Sequence, residues 1–457
     1  MDIPPIIFRE YDIRGVVDSE LAPHAVRAIG RAVTTLARQR VGGDPRIVVG
    51  RDNRPSGESL ARAMREGIAL AGGTAIDVGM LPTPALYFAL HELDVDGGVQ
   101  VTGSHNPPEF NGLKMVVAGD TLHGKEIQRL RRLIEDGELD SGSGTREVDE
   151  SILRKYADKV VSLNAPLERP VKVVVDCGNG VASLVAENIL SRIGAHVVSL
   201  YCESDGSFPN HHPDPTVLEN LRDLQESVRR TNAALGIAFD GDGDRIGAVD
   251  ESGEVVFGDK LLILYGRELI ERTGETGPVI FDVKCSNLLR EKLAEAGLEP
   301  VIWKTGHSLI KAKMKELGAT LAGEMSGHMF FGGDYFGYDD AIFAAARLLS
   351  YLARQEGPLS GLMADFPESF ATPEIRIDCP ADRQDAIVQE ASNYFGERYE
   401  TLTLDGVRIN FDQGWGLIRA SNTQPVIVMR FEANSRETLE AYRGEVVSWL
   451  RGQGISL

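Results

Sequence analysis

The sequence predicts an α/β fold in which one strand–helix–strand unit is written three times, followed by a smaller α+β domain. Three observations lead there. The chain has 457 residues, and at about 100–200 residues per domain three or four domains are expected. Apolar β-branched runs recur at long intervals, each followed by a stretch of helical composition and two further strand-like segments. The C-terminal part then loses that rhythm.

The first strands of the three copies are Arg46-Ile47-Val48-Val49-Gly50-Arg51-Asp52, Lys172-Val173-Val174-Val175-Asp176 and Pro278-Val279-Ile280-Phe281-Asp282-Val283-Lys284. Helical composition follows at 59–71, 183–193 and 287–296, and each stretch stops at glycine, a common helix terminator. Second strands come at 74–78, 196–201 and 300–303. Third strands come at 98–101, 235–239 and 320–323. Strand, helix, strand, connection, strand is the grammar of a sheet with parallel strands.

Each third strand runs into a polar loop. The loops are Thr102-Gly103-Ser104-His105-Asn106-Pro107, Asp240-Gly241-Asp242-Gly243-Asp244-Arg245 and Glu324-Met325-Ser326-Gly327-His328. They stand at strand carboxyl ends, where open α/β sheets put their ligands. Three units packed side by side would line one cleft with all three.

In the C-terminal part, 376–379 and 404–409 read as strands, the second through an Asp405-Gly406 turn. Strand 416–419 enters the loop Ala420-Ser421-Asn422-Thr423-Gln424-Pro425, 426–432 is another strand, and 436–450 is an amphipathic helix. That mixture predicts α+β. Seams are expected near 141–144, 251–253 and 365–367, which gives domains 1–149, 150–253, 254–367 and 368–457.

The net charge of −20 argues against nucleic acid or an anionic membrane as partner, since both need basic faces. A small anionic substrate remains open where Arg and Lys converge. Cys177, Cys202, Cys285 and Cys379 form no close pair in sequence. No metal or redox spacing appears, so reduced thiols in a cytosol are expected. Met1-Asp2-Ile3-Pro4-Pro5 lacks a signal peptide's basic start and long apolar core. No segment reaches the ~18 apolar residues of a membrane span.

Read alone, the Ser104 segment is an ordinary exposed turn, closed by Asn-Pro. Asp240, Asp242 and Asp244 alternate with glycines, and carboxylates this close repel unless a cation compensates. A calcium-binding EF-hand wants Gly at position 6 and Glu at 12. Glu251 stands at 12, but Arg245 stands at 6 and the flanks read as strands. A hard ion such as Mg²⁺, its shell completed by an outside phosphate oxygen, fits better. Arg419 to Thr423 offers a guanidinium, two hydroxyls and an amide, a set that suits a phosphate dianion. His328, beside Glu324 and Ser326 on a glycine-bounded loop, suits proton transfer.

These residues resemble the α-D-phosphohexomutases, most closely the bacterial phosphomannomutase/phosphoglucomutase enzymes. The resemblance runs nearly end to end. It rests on T-G-S-H-N-P (102–107), D-G-D-G-D-R (240–245), G-E-M-S-G-H (323–328) and R-A-S-N-T (419–423), in that order. F-R-E-Y-D-I-R-G (8–15), N-G-L-K (111–114), F-D-V-K (281–284) and K-T-G-H-S (304–308) support it. It implies three similar α/β domains with mixed, mainly parallel sheets and a C-terminal α+β domain around a central cleft.

The resemblance further implies an intramolecular phosphotransferase, moving phosphate between C1 and C6 of mannose and glucose phosphates. The hexose 1,6-bisphosphate is intermediate and glucose 1,6-bisphosphate the activator. Ser104 would carry the phosphoryl group, and Mg²⁺ would be held by Asp240, Asp242, Asp244 and the phosphoserine. Glu324 and Ser326, with Met325 and Gly327 in the same motif, would hold sugar hydroxyls. Arg419, Ala420, Ser421, Asn422 and Thr423 would hold the unreacting phosphate. Tyr11, Lys284 and His307 match ligand contacts. Arg14, Lys114, Arg245 and His328 match positions beside the transferred group.

Two other readings remain open on the residues themselves: a Mg-dependent phosphatase using an aspartate of 240–244 as nucleophile, and a non-catalytic sugar-phosphate-binding protein. The oligomeric state is open as well, with a monomer sufficient.

Overall fold

The computed structural model describes residues 3–164, 166–421 and 425–455. Its first three sheets share a core written in the same spatial order. In the first, Arg46–Arg51 lies between Thr74–Met80 and Gly97–Val101, all parallel, and Phe110–Val117 runs antiparallel beyond Gly97–Val101. In the second, Lys172–Asp176 lies between His196–Leu200 and Leu235–Phe239, with Ile246–Asp250 antiparallel beyond. In the third, Pro278–Asp282 lies between Glu299–Trp303 and Leu321–Gly323, with Met329–Phe331 antiparallel beyond. The last sheet is antiparallel around Val426–Ala433 and carries the helices Ala381–Gly396 and Arg436–Gly452. The expected α/β units and α+β domain are therefore present, with mixed, mainly parallel sheets.

The reason is burial on both faces. Val173, Val174 and Val175 are fully buried, as expected of parallel strands covered by helices on both sides. Leu235–Phe239 is buried at every position. Ends differ locally from the sequence reading. The helix expected at 183–193 is a 3₁₀ turn, Val181–Leu184, followed by Ala186–Ile193. The strand expected at 404–409 is Val407–Phe411; Leu404, Asp405 and Gly406 form the turn that pairs it with Glu400–Leu402. The first sheet extends past the glycine–serine stretch at 141–144, because Thr145–Val148 pairs with Thr74–Met80.

The cysteines are free. Two of them, distant in sequence, are neighbours in space: Cys177 Sγ and Cys202 Sγ lie 3.2 Å apart, each just beyond the end of one of two adjacent parallel strands. Among the described residues, no helix is long and apolar enough to cross a membrane.

The three polar loops leave their sheets at corresponding strand ends and meet. Gly241 makes the first meeting possible, since a Cβ there would stand 2.5 Å from the Ser104 carbonyl oxygen. Gly327, at φ +93°, makes the second, since a Cβ would stand 2.2 Å from the Ile246 carbonyl oxygen. Only glycine combines that φ with so close an approach.

Candidate active site

Ser104 is buried at 2% exposure in a left-handed conformation, φ +49°. That conformation costs a non-glycine residue about 1–2 kcal/mol, so the surrounding structure must impose it. Asp52, at the end of the first strand, accepts from Thr102 Oγ1 at 2.7 Å and from Gly103 N–H at 3.1 Å. Arg54 pairs with Asp52 and donates to the carbonyl oxygens of Ser104, Asn106, Pro107 and Phe110. Arg14, pinned by Asp12, donates to Asn106 Oδ1 at 2.7 Å. The exposed turn expected from sequence is thus a buried, clamped loop.

The Ser104 hydroxyl donates to Asp240 Oδ2 at 2.9 Å. Asp240, Asp242 and Asp244 are all fully buried, so the loop is no solvated turn. Lys114 reaches across from the first sheet and donates to Asp242 Oδ2 at 2.7 Å and to Asp244 Oδ2. Thr83 adds a hydroxyl donation to Asp242 at 2.5 Å.

The electrostatics follow from this geometry. Burial and the two acidic neighbours push the Asp240 carboxyl well above its ordinary range. Burial raises Asp242 too, but Lys114 more than offsets it and holds that carboxyl below its ordinary value. Burial depresses the Lys114 ammonium, yet Asp242 and Asp244 raise it further, so it stays cationic. Glu251, the twelfth residue of the rejected calcium pattern, faces Ser360 instead, accepting from its N–H at 3.2 Å. Asp250, next to it, ends a strand.

These three aspartates fit a hard divalent ion. Their carboxylate oxygens lie within 4.8 Å of one another, and Asp242 Oδ1 and Asp244 Oδ1 are buried without a hydrogen-bond partner. Oxygen-only donors of this kind suit Mg²⁺.

The third loop closes against the second. Arg245 and His328 pair as a β-bridge, and Arg245 Nε donates to His328 Nε2 at 3.0 Å. Glu324 accepts from Gly306 N–H at 2.6 Å, and burial raises its carboxyl above the ordinary value. Met325 N–H donates to Asp282 Oδ1, which fixes the turn. Ser326 is half-buried. His307, at the start of the helix His307–Leu317, is held neutral by burial and by Lys311.

The loop around Thr305 joins three parts of the chain. Tyr11 Oη donates to its carbonyl oxygen at 2.8 Å, and its N–H donates to Asp405 at 3.0 Å. Asp405 in turn pairs with Arg419, at the end of the strand Gly414–Ala420. Lys284 donates to Glu374 at 2.8 Å. Ser421 N–H donates to the Val426 carbonyl oxygen at 3.0 Å. Asn422 and Thr423 lie outside the described residues.

Ser104, Lys114, Asp240, Asp242, Asp244, Arg245 and His328 therefore form one connected cluster, and Arg14 touches its edge. Tyr11, His307, Glu324 and Arg419 border it, linked through Thr305, Gly306 and Asp405. The sequence reading missed Asp52, Arg54 and Thr83. Asp52 and Arg54 carried a signal: they follow the first strand, at the same sheet end as Ser104.

Comparison with known proteins agrees with this architecture. Residues 5–140, 154–253 and 257–370 match the phosphoglucomutase/phosphomannomutase alpha/beta/alpha domains I, II and III. Residues 374–448 match the C-terminal domain of the same family. The chain is 48% identical over 441 residues to the phosphomannomutase/phosphoglucomutase of Pseudomonas aeruginosa, covering 96% of this chain and 94% of that one. It is 42% identical to a phosphoglucomutase of Neisseria gonorrhoeae, covering 95% and 94%. The solved structure of a phosphoglucomutase/phosphomannomutase family protein from Burkholderia thailandensis superposes with a TM-score of 0.90, at 41% identity, covering 99% and 98%. Three α/β units and an α+β domain that bring a buried serine, an acidic triad and a histidine into one cluster define a phosphotransfer fold. The chain belongs to the phosphoglucomutase/phosphomannomutase family, the α-D-phosphohexomutases.

Proposed function

We propose that this chain moves a phosphoryl group reversibly between C1 and C6 of mannose and glucose phosphates, carrying it on Ser104 and passing through the hexose 1,6-bisphosphate. The observation that carries the reading is the Ser104 hydroxyl, 2.9 Å from Asp240 and held by a loop that Arg54 clamps. In this reading 1–149 bears the phosphoserine, 150–253 the metal, 254–367 recognises sugar and 368–457 binds the distal phosphate. The four free thiols support a cytoplasmic setting.

A direct C1-to-C6 transfer within one sugar is geometrically awkward. Ser104 gives its phosphate to one end, the bisphosphate turns over, and Ser104 receives the other phosphate. Asp240, Asp242 and Asp244, with a phosphoserine oxygen, would hold Mg²⁺, which would supply charge neutralisation to the transferring group. Lys114 and Arg245 are locked as cations by their carboxylate neighbours and supply positive charge beside the same oxygens. Phosphoryl transfer needs positioning and charge stabilisation above all.

His328 moves the hydroxyl proton through Nε2, since among these three groups only an imidazole offers an acceptor atom. That nitrogen accepts from Arg245 Nε and is freed to take the proton when the guanidinium turns to the phosphate. Arg14 steadies the Ser104 loop and faces the incoming phosphate. Glu324 and Ser326 bind sugar hydroxyls, with Met325 and Gly327 shaping their turn. Tyr11, Lys284 and His307 border the ligand, and Arg419, Ala420, Ser421, Asn422 and Thr423 take the unreacting phosphate.

Intact mass spectrometry after brief incubation with glucose 1,6-bisphosphate tests the reading. One phosphate mapped to Ser104, absent in Ser104→Ala together with turnover, is expected. A hydroxylamine-labile phosphate on Asp240 or Asp242 would instead favour the phosphatase, and no covalent phosphate would favour a binding protein.

A further inference from the structure

We propose that Asp339 is a positioning residue for His328, fixing its tautomer and ring orientation, with Lys311 fixing Asp339 in turn. This deepens the reading of His328 as the proton-transfer group and rests on it.

The argument begins at the far side of the ring. Arg245 Nε donates to His328 Nε2 at 3.0 Å. A guanidinium N–H cannot accept a hydrogen bond, so Nε2 must be the acceptor. The neutral imidazole therefore carries its proton on Nδ1. That atom faces Asp339 Oδ2 at 3.2 Å and, farther off, Asp244 Oδ1 at 3.6 Å. Both His328 Nδ1 and Asp339 Oδ2 are buried without a hydrogen-bond partner, and each lies 3.2 Å from the other.

Asp339 is suited to the task. It is fully buried, and its other oxygen, Oδ1, accepts from Lys311 Nζ at 2.9 Å. Lys311 is itself set by the Tyr87 ring, 4.1 Å from its centroid. Oδ2 is thereby turned toward the histidines. His307 Nδ1 lies 3.5 Å from the same oxygen, and the two imidazoles stack with centroids 5.7 Å apart.

Two simpler roles are already filled by neighbours. The helix Ala341–Arg354 is capped by Asp340, whose carboxylate accepts from Phe343 N–H at 2.8 Å. Asp244 binds Lys114 through Oδ2, and its Oδ1 stands farther from His328 Nδ1, at 3.6 Å, than Asp339 Oδ2 does at 3.2 Å. What is left for Asp339 is the placement of the imidazole, the same logic by which a buried aspartate orients the histidine of a hydrolase triad.

The test uses the full-length wild-type protein and Asp339→Asn. An asparagine offers one oxygen where two are needed, so either Lys311 or the imidazole proton meets an amide N–H₂. In wild type, long-range ¹H–¹⁵N spectra of histidine-labelled protein should show the Nδ1–H pattern for His328, assigned as the signals missing in His328→Gln. Asp339→Asn should lower kcat at least about 100-fold, the usual range for a proton-transfer group, with KM changed by no more than about threefold. Placed in a His328→Gln background, it should lower turnover by less than about threefold more, since residues acting through one group are not additive.

An Nε2–H pattern in wild type overturns the proposal, and so does a kcat near wild type in Asp339→Asn. A full additional loss in the His328→Gln background overturns it as well, because that marks a structural role. Should Asp339→Asn fail to fold, the wild-type tautomer decides alone. A wild type without mutase turnover would refute the functional reading, while the tautomer measurement would still judge the placement of His328.

Discussion

Arg54 Nη2 donates to the Ser104 carbonyl oxygen at 2.7 Å from a side chain with no solvent exposure. The same guanidinium reaches three more carbonyl oxygens of the loop, on Asn106, Pro107 and Phe110. A planar fork with five donors is the side chain that can do this. The Ser104 backbone is thus held in its left-handed state by a residue remote from the chemistry.

Arg54→Met is expected to leave those carbonyls and Asp52 without their cation. Breaking a buried pair of this kind costs about 3–5 kcal/mol, which urea unfolding should register. Where the variant is folded at low temperature, its phosphate uptake from glucose 1,6-bisphosphate should be slow. Uptake at the wild-type rate would show that the clamp does not position Ser104.

Lys114 gives the second prediction, on metal removal. It is the ammonium shared by Asp242 and Asp244, so Lys114→Met leaves the triad's charge uncompensated. The variant should be less stable than wild type in EDTA and should gain more in Tm from added Mg²⁺, because a ligand that binds only the native state stabilises it. An equal Mg²⁺-dependent shift in both proteins would mean that the ion does not occupy this triad.

The third concerns pH. Lys284, at 2.8 Å, holds the Glu374 carboxyl below its ordinary value despite burial. The pair ties the third unit to the last. A carboxyl depressed in the fold contributes stability that is present above its unfolded pKa of about 4.3 and is lost as pH falls below it. Glu374→Gln should therefore cost about 2 kcal/mol at pH 7, the scale of a charged hydrogen bond, and progressively less in acid. A constant gap between the two proteins from pH 7 down to pH 3 would refute the linkage.

What the sequence made legible follows from where the information is local. The three units could be read because parallel strands buried on both faces write continuous β-branched runs, such as Val173 to Val175. Ser104, the aspartates and His328 could be read because each sits in a glycine-bounded loop at a strand end. Asp339 could not. It precedes the true helix cap, Asp340, and acquires its role only through Lys311 and His328. The burial of the Ser104 turn was equally hidden, since it depends on Arg54 reaching four carbonyls from another strand end. The proximity of Cys177 and Cys202 required knowing that their strands lie side by side.

The last prediction is that the enzyme accepts both glucose 1-phosphate and mannose 1-phosphate. The two sugars differ only in configuration at C2. In the proposed reading Glu324 and Ser326 bind hydroxyls common to both, and Arg419 and its neighbours bind phosphate, which carries no information about C2. Gly306 N–H donates to the Glu324 carboxylate at 2.6 Å and so orients it. Steep rejection would need a buried polar group dedicated to a single C2 hydroxyl, because an unmatched partner is what makes discrimination large. Without one, the difference is at most roughly 1–3 kcal/mol, about 10- to 200-fold in kcat/KM. Both values should be measured under identical bisphosphate activation. A ratio well beyond a thousandfold would reveal a group that reads C2, and the first variant to make would then be Lys284→Met, a ligand-bordering polar side chain with no shared hydroxyl assigned to it.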